Sequence, residues 1–161
     1  MNLRPMSLIA GLMLLLAACA QTPSNTGNAG GGGAGAGGAT QAVPGSAADF
    51  QQNVGDRVFF DFDKSVIKPE GQTTLQRQAE WLKKYPNVTV TVEGHCDERG
   101  TREYNLALGE RRATAVRNAL VALGIPAARM KTISYGKERP AVLGSNEAAW
   151  AQNRRGVTVI N

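Results

Sequence analysis

The chain has 161 residues and a formal net charge of +5, a length that suits one ordinary domain with a tail and is too short for two large ones. Hydrophobic residues make up 42% and charged residues 19%, which excludes wholesale disorder. Two cysteines and one histidine exclude a Cys/His zinc cluster and a multi-disulfide framework.

Arg4 precedes an apolar run from Leu8 to Ala18. A basic start followed by a short apolar stretch is the pattern of an export signal, residues 1–18. The run falls short of the roughly 20 apolar residues that a membrane-spanning helix needs. Leu16-Ala17-Ala18-Cys19 closes it and resembles a bacterial lipobox. The resemblance implies that Cys19 becomes the mature N-terminus and carries acyl chains. Ala20, in place of an aspartate at the next position, implies the outer membrane as destination. Several acyl chains anchor a protein firmly without spanning the bilayer.

Residues 20–48 contain no charged residue and nine glycines. Such a tract buries almost nothing and reads as a flexible tether. Its 29 residues give a root-mean-square reach of roughly 30 Å and a full stretch of roughly 100 Å. The Gly30–Gly38 run has no following Lys and no flanking strand, so it is not a phosphate-binding loop. A lipid at one end and a domain at the other make a leash.

The folded domain is expected over 49–161, which holds all 13 acidic residues and 17 of the 18 basic ones. Arg57 to Phe62 is β-branched and aromatic, hence a strand. Pro69 opens a helix to Lys84, with Leu75, Ala79 and Leu82 at helical spacing, and Pro86 forbids continuation. Val88, Val90 and Val92 alternate with polar residues, as in a half-buried strand. A polar loop, Gly94 to Thr101, leads into a helix over 103–123, with Gly124 as its cap. Met130–Tyr135 reads as a third strand, Asn146–Gln152 as a short helix and Gly156–Ile160 as a last strand. Helix-separated strands imply an α/β class, a two-layer sandwich of a small sheet and packed helices.

The densest chemistry is Glu93-Gly94-His95-Cys96-Asp97-Glu98-Arg99-Gly100-Thr101. A nucleophilic reading with Cys96 is poor, because adjacent residues His95 and Cys96 point apart on an extended chain and no second histidine exists. So close a spacing also rarely wraps one metal ion. Leu108 and Arg112 share a stripe of the following helix, and the arginine side chain can reach back toward the loop. Asp97 and Arg112 then form either an internal salt bridge or the two walls of a pocket for a zwitterion. In the second arrangement Asp97 takes an ammonium group and Arg112 a carboxylate.

Several stretches together resemble the OmpA C-terminal-like domain family. They are Phe60-Asp61-Phe62-Asp63-Lys64, the Val90–Thr101 segment, Glu103 to Ala113, Ser134 to Gly144 and Asn153-Arg154-Arg155. The spaced pattern Asn105-x-x-Leu108-Gly109-x-x-Arg112-Ala113-x-x-Val116 matches that family's peptidoglycan-binding signature, and with the lipobox the chain is similar to its lipoprotein members. The resemblance implies a mixed four-stranded sheet with helices on one face, no enzymatic activity and no cofactor. It also implies a noncovalent grip on the diaminopimelate residue of the peptidoglycan stem peptide. Asp97 and Arg112 fall on the two positions that hold this ligand, and Phe62 and Asp63 on the strand-end pair beside it. His95 falls on a pocket-edge position, while Tyr104, Asn105 and Leu108 fall on supporting helix positions. The implied partners are the wall itself, the β-propeller protein TolB and other proteins of the Tol–Pal envelope system, which supports constriction at division. Cys96 departs from the alanine or threonine common in that slot. A basic nucleic-acid binder is disfavoured by the mixed charges and the export signal.

Overall fold

The computed structural model describes residues 42–161. The signal segment, the lipobox at Cys19 and the tether up to residue 41 lie outside the described residues. No helix among the described residues is long and apolar enough to cross a membrane.

The first described residues already lie against the domain. Ser46 caps a single α-helical turn, α1 (Ala47–Asp49), by accepting from Asp49 N at 3.1 Å. The turn runs on as a π-helical segment, Phe50–Val54. Asp49 accepts the Trp81 indole N–H at 2.8 Å. Phe50 is buried edge-on against the Trp81 ring, centroids 4.9 Å apart. Sequence periodicity gave this segment no element, since it is too short for a helical stripe.

Strand β1 (Arg57–Phe59) is followed by α2 (Pro69–Lys84), β2 (Val90–His95), α3 (Arg102–Ala122), β3 (Met130–Gly136), α4 (Glu147–Asn153) and β4 (Arg155–Ile160). The sheet order is β1-β4-β2-β3. β4 pairs antiparallel with both β1 and β2, and β2 pairs parallel with β3. A parallel pair needs a long crossover, which α3 supplies. The sheet is therefore mixed and four-stranded, as expected.

α2 begins at Pro69, whose missing N–H costs nothing at a first helical position. Thr101 caps α3 by accepting from Tyr104 N at 3.2 Å, and Gly124, at φ 92°, ends it. Leu75 and Leu82 from α2, Val116 and Leu120 from α3, and Val58, Val90 and Val92 from the sheet are all buried in one core.

Two differences from the sequence reading matter for the site. β1 stops at Phe59 rather than Phe62. Phe60 still donates to Arg154 O at 2.9 Å, and then Lys64 N bonds back to Asp61 O in a turn with Asp63 at φ 57°. The carbonyls of Phe60, Asp61 and Lys64 accept from arginine side chains instead of from a neighbouring strand. β2 runs to His95, past Val92, because Glu93 and Gly94 pair on both sides, with β3 and with β4.

Candidate functional site

α3 sits unusually close to β2. A Cβ on Gly94 would lie 1.8 Å from Gly109 O, and one on Gly109 would lie 2.3 Å from Ser134 Oγ. Only glycine fits at either place, so helix backbone rests on strand backbone. This contact fixes how far along the sheet the next turns of α3 lie, and those turns carry Leu108 and Arg112.

Arg112 is fully buried. Its guanidinium donates to three carbonyls: Nε to Lys64 O at 2.8 Å, Nη1 to His95 O at 2.8 Å and Nη2 to Asp61 O at 3.1 Å. Its carbon lies 5.2 Å from the Phe60 ring centroid. Burial lowers its pKa from the ordinary arginine value, and the three charge-assisted bonds are what permit a buried cation. Arginine has five N–H donors. Three are used here, and the side chain still lines a cavity.

That cavity holds about 160 Å³. It is walled by Phe62 and Asp63 from the turn after β1, and by Cys96, Asp97, Arg99 and Gly100 from the loop after β2. Tyr104, Asn105, Leu108 and Arg112 of α3 complete it. Phe62, Asp63, Asp97, Tyr104, Leu108 and Arg112, named from the sequence, thus come together around one space. The Tyr104 hydroxyl donates to Asp63 Oδ1, tying α3 to the turn. This bond raises the tyrosine's pKa.

Asp97 and Arg112 make no hydrogen bond to each other; the internal salt bridge does not form. Asp97 is buried and paired elsewhere. Its Oδ1 accepts Arg99 N and Nε, each at 3.1 Å. Its Oδ2 accepts Arg99 Nη2 at 2.7 Å and Arg154 Nη1 at 3.4 Å. Burial alone would raise this carboxyl's pKa, but the Arg99 and Arg154 bonds outweigh it and hold the group below the usual carboxylate range.

His95 does not line the cavity. Gly94 faces α3, so strand alternation turns His95 to the other face of the sheet. There its ring is buried, with Nε2 3.2 Å from Glu93 Oε2 and its centroid 5.6 Å from that of Tyr135. Burial, with Arg155, Arg139 and Arg57 nearby, pulls its pKa down to about 4. His95 serves the site through its carbonyl, which Arg112 grips. Cys96 is buried, its thiol 3.4 Å from Asn105 O, and burial pushes its pKa up. It stands as a protonated thiol, unsuited to nucleophilic attack.

Sequence reasoning assigned no role to Arg99, Trp150 or Arg154. The Arg99 guanidinium lies between two rings, 4.0 Å from the Phe62 centroid and 4.0 Å from the Trp150 centroid. Arg154 donates to Phe60 O at 3.1 Å and to Glu147 Oε1 at 2.6 Å as well as to Asp97. Trp150 and Arg154 lie more than fifty residues from the loop they support, so no local pattern signals them.

The sequence matches the OmpA family over residues 59–154. The chain belongs to that family. Relatives named peptidoglycan-associated lipoprotein include one from Agrobacterium fabrum, 56% identical over 92% of this chain and 83% of the relative. Another, from Brucella melitensis, is 53% identical over 98% of this chain and 92% of the relative. The crystal structure of the peptidoglycan-associated lipoprotein from Burkholderia pseudomallei superposes with a TM-score of 0.68 at 44% identity. It covers 72% of this chain and all of that one. The OmpA-like fold is the one described above, and the family is not one of enzymes.

Proposed function

We propose that this chain is an outer-membrane lipoprotein that binds peptidoglycan noncovalently and tethers the membrane to the wall. The observation that carries the reading is the pairing of opposite charges on one small cavity, the Asp97 carboxylate and the Arg112 guanidinium. Whole ligands of drug size take about 300–1,000 Å³, so a space of about 160 Å³ suits one end group. The side-chain end of diaminopimelate carries an ammonium and a carboxylate on one carbon, which matches the two charges. Arg112 and Asp97 bear those charges, Phe62 and Leu108 give apolar walls, and Asp63 and Tyr104 form the polar rim. The close relatives are named peptidoglycan-associated lipoprotein, which supports peptidoglycan as the polymer that supplies this group.

Cys19 carries the acyl chains and the Gly-rich stretch spans the gap to the wall. TolB and other Tol proteins are the protein partners, within the Tol–Pal system that acts at envelope constriction. The test is sedimentation of the protein with purified sacculi of two kinds. Binding to diaminopimelate-type wall, and little to lysine-type wall, which lacks the distal carboxylate, supports the proposal. Equal recovery with both walls refutes the assigned pocket.

A further inference from the structure

Asp97 is saturated in the free protein. A carboxylate offers about four acceptor positions, and four N–H groups already fill them: Arg99 N, Arg99 Nε, Arg99 Nη2 and Arg154 Nη1. A ligand ammonium cannot reach this carboxylate without displacing a donor. Arg154 is held on two further sides by Phe60 O and Glu147, and its side chain is only 7% exposed. The Arg99 side chain is 31% exposed and rests on ring faces, which hold a cation without fixing the direction of its N–H groups. A second acceptor is at hand, because Glu147 Oε2 lies 3.9 Å from Arg99 Nη2.

We propose that Arg99 is a latch on the cavity, closed on Asp97 in the free protein and turned toward Glu147 when a ligand cation takes its place. Phe62 and Trp150 keep the guanidinium between them in both positions. The latch rests on the wall-binding reading above and adds a selectivity to it. Only a ligand with a free amine can exchange with Arg99, since an acylated amine carries no charge. The closed latch also lowers apparent affinity by the fraction of molecules that are open.

Calorimetry on the full chain in detergent tests this, with the tripeptide L-alanyl-D-glutamyl-diaminopimelate as one probe. The second probe is the same peptide acetylated on its distal amine. Arg99→Gln is expected to bind the free-amine peptide about three- to tenfold more tightly than wild type, with no gain for the acetylated one. Weaker binding by Arg99→Gln would make Arg99 an ordinary ligand contact and overturn the latch. If wild type binds the free-amine peptide and Arg99→Gln binds it equally, the latch falls while the wall-binding reading stands. If wild type ignores both peptides, that reading fails and takes the latch with it. A second measurement needs no variant: the Arg99 Nε–H nuclear magnetic resonance signal, protected by Asp97 in the free protein, is expected to lose protection at ligand saturation. Protection that persists in the bound state refutes the exchange.

Discussion

Arg112 and Asp97 line one cavity without touching each other. Arg112 spends three donors on the carbonyls of Asp61, Lys64 and His95, and Asp97 is held by Arg99 and Arg154. The two charges are therefore fixed independently, each by its own set of partners, and neither neutralises the other. Such an arrangement presents an anion and a cation to one cavity, the cation already fixed by its carbonyls and the anion reached by exchange with Arg99.

The first prediction concerns Arg112 as a structural clamp. Lysine has a single ammonium and cannot reach three carbonyls on two segments. Arg112→Lys is expected to cost about 2–4 kcal/mol of stability. Urea denaturation measures it, and a variant as stable as wild type would show that the three bonds are weak.

Asp97 separates binding from folding better. Asp97→Asn keeps the shape, and Arg154 retains Glu147 and Phe60 O as partners. Affinity for the diaminopimelate tripeptide is expected to fall ten- to hundredfold. The stability loss is expected to be about 1–2 kcal/mol. Calorimetry at a temperature where circular dichroism shows the variant folded gives the answer.

Close backbone packing predicts a severe effect at a residue that touches no ligand. Gly94→Ala puts a methyl 1.8 Å from Gly109 O, so α3 must move off β2. We expect a loss of about 3 kcal/mol or more. Binding should weaken with it, since the displaced helix carries Leu108 and Arg112. Thermal melting and peptide titration on the same sample test both.

His95 predicts a pH dependence of stability. In the fold it faces Glu93 from its own strand, Tyr135 from β3, and Arg57, Arg139 and Arg155 around the ring. Its pKa is lowered from 6.5 to about 4, so between those values the unfolded chain binds a proton that the folded chain does not. Stability then rises with pH through this window and is lost as pH falls from 6.5 toward 4. The expected loss by pH 4.5 is about 2 kcal/mol. His95→Gln should flatten this part of the curve in melts taken from pH 4.5 to 7.5, and an unchanged slope would exclude His95 as its source.

The N-terminal boundary is testable by truncation. A chain starting at Val43 keeps Phe50 and the Asp49–Trp81 bond and should melt as the full chain does. A chain starting at Asp56 loses both and should be less stable by about 3 kcal/mol. Cys19→Ser, in turn, should abolish fatty-acid labelling and release the protein from the membrane fraction.

Much of the architecture is local, and local features are legible in sequence. Pro69 and Pro86 bound α2, the Val90–Val92 alternation marks β2, and Gly124 ends α3, each through backbone chemistry that acts within a few residues. The residue pattern points to Asp97 and Arg112, and the family resemblance adds Phe62, Asp63, Tyr104 and Leu108 of the cavity wall. What it could not provide was the use each group is put to. Arg112 grips carbonyls of the turn after β1, some fifty residues earlier, and Asp97 pairs with Arg154, 57 residues later. His95 turns away because Gly94 must face Gly109, a contact between two separate elements. Periodicity tells which side of its own strand or helix a residue occupies. Which partners meet there depends on how the sheet and α3 pack, and only the tertiary structure decides that.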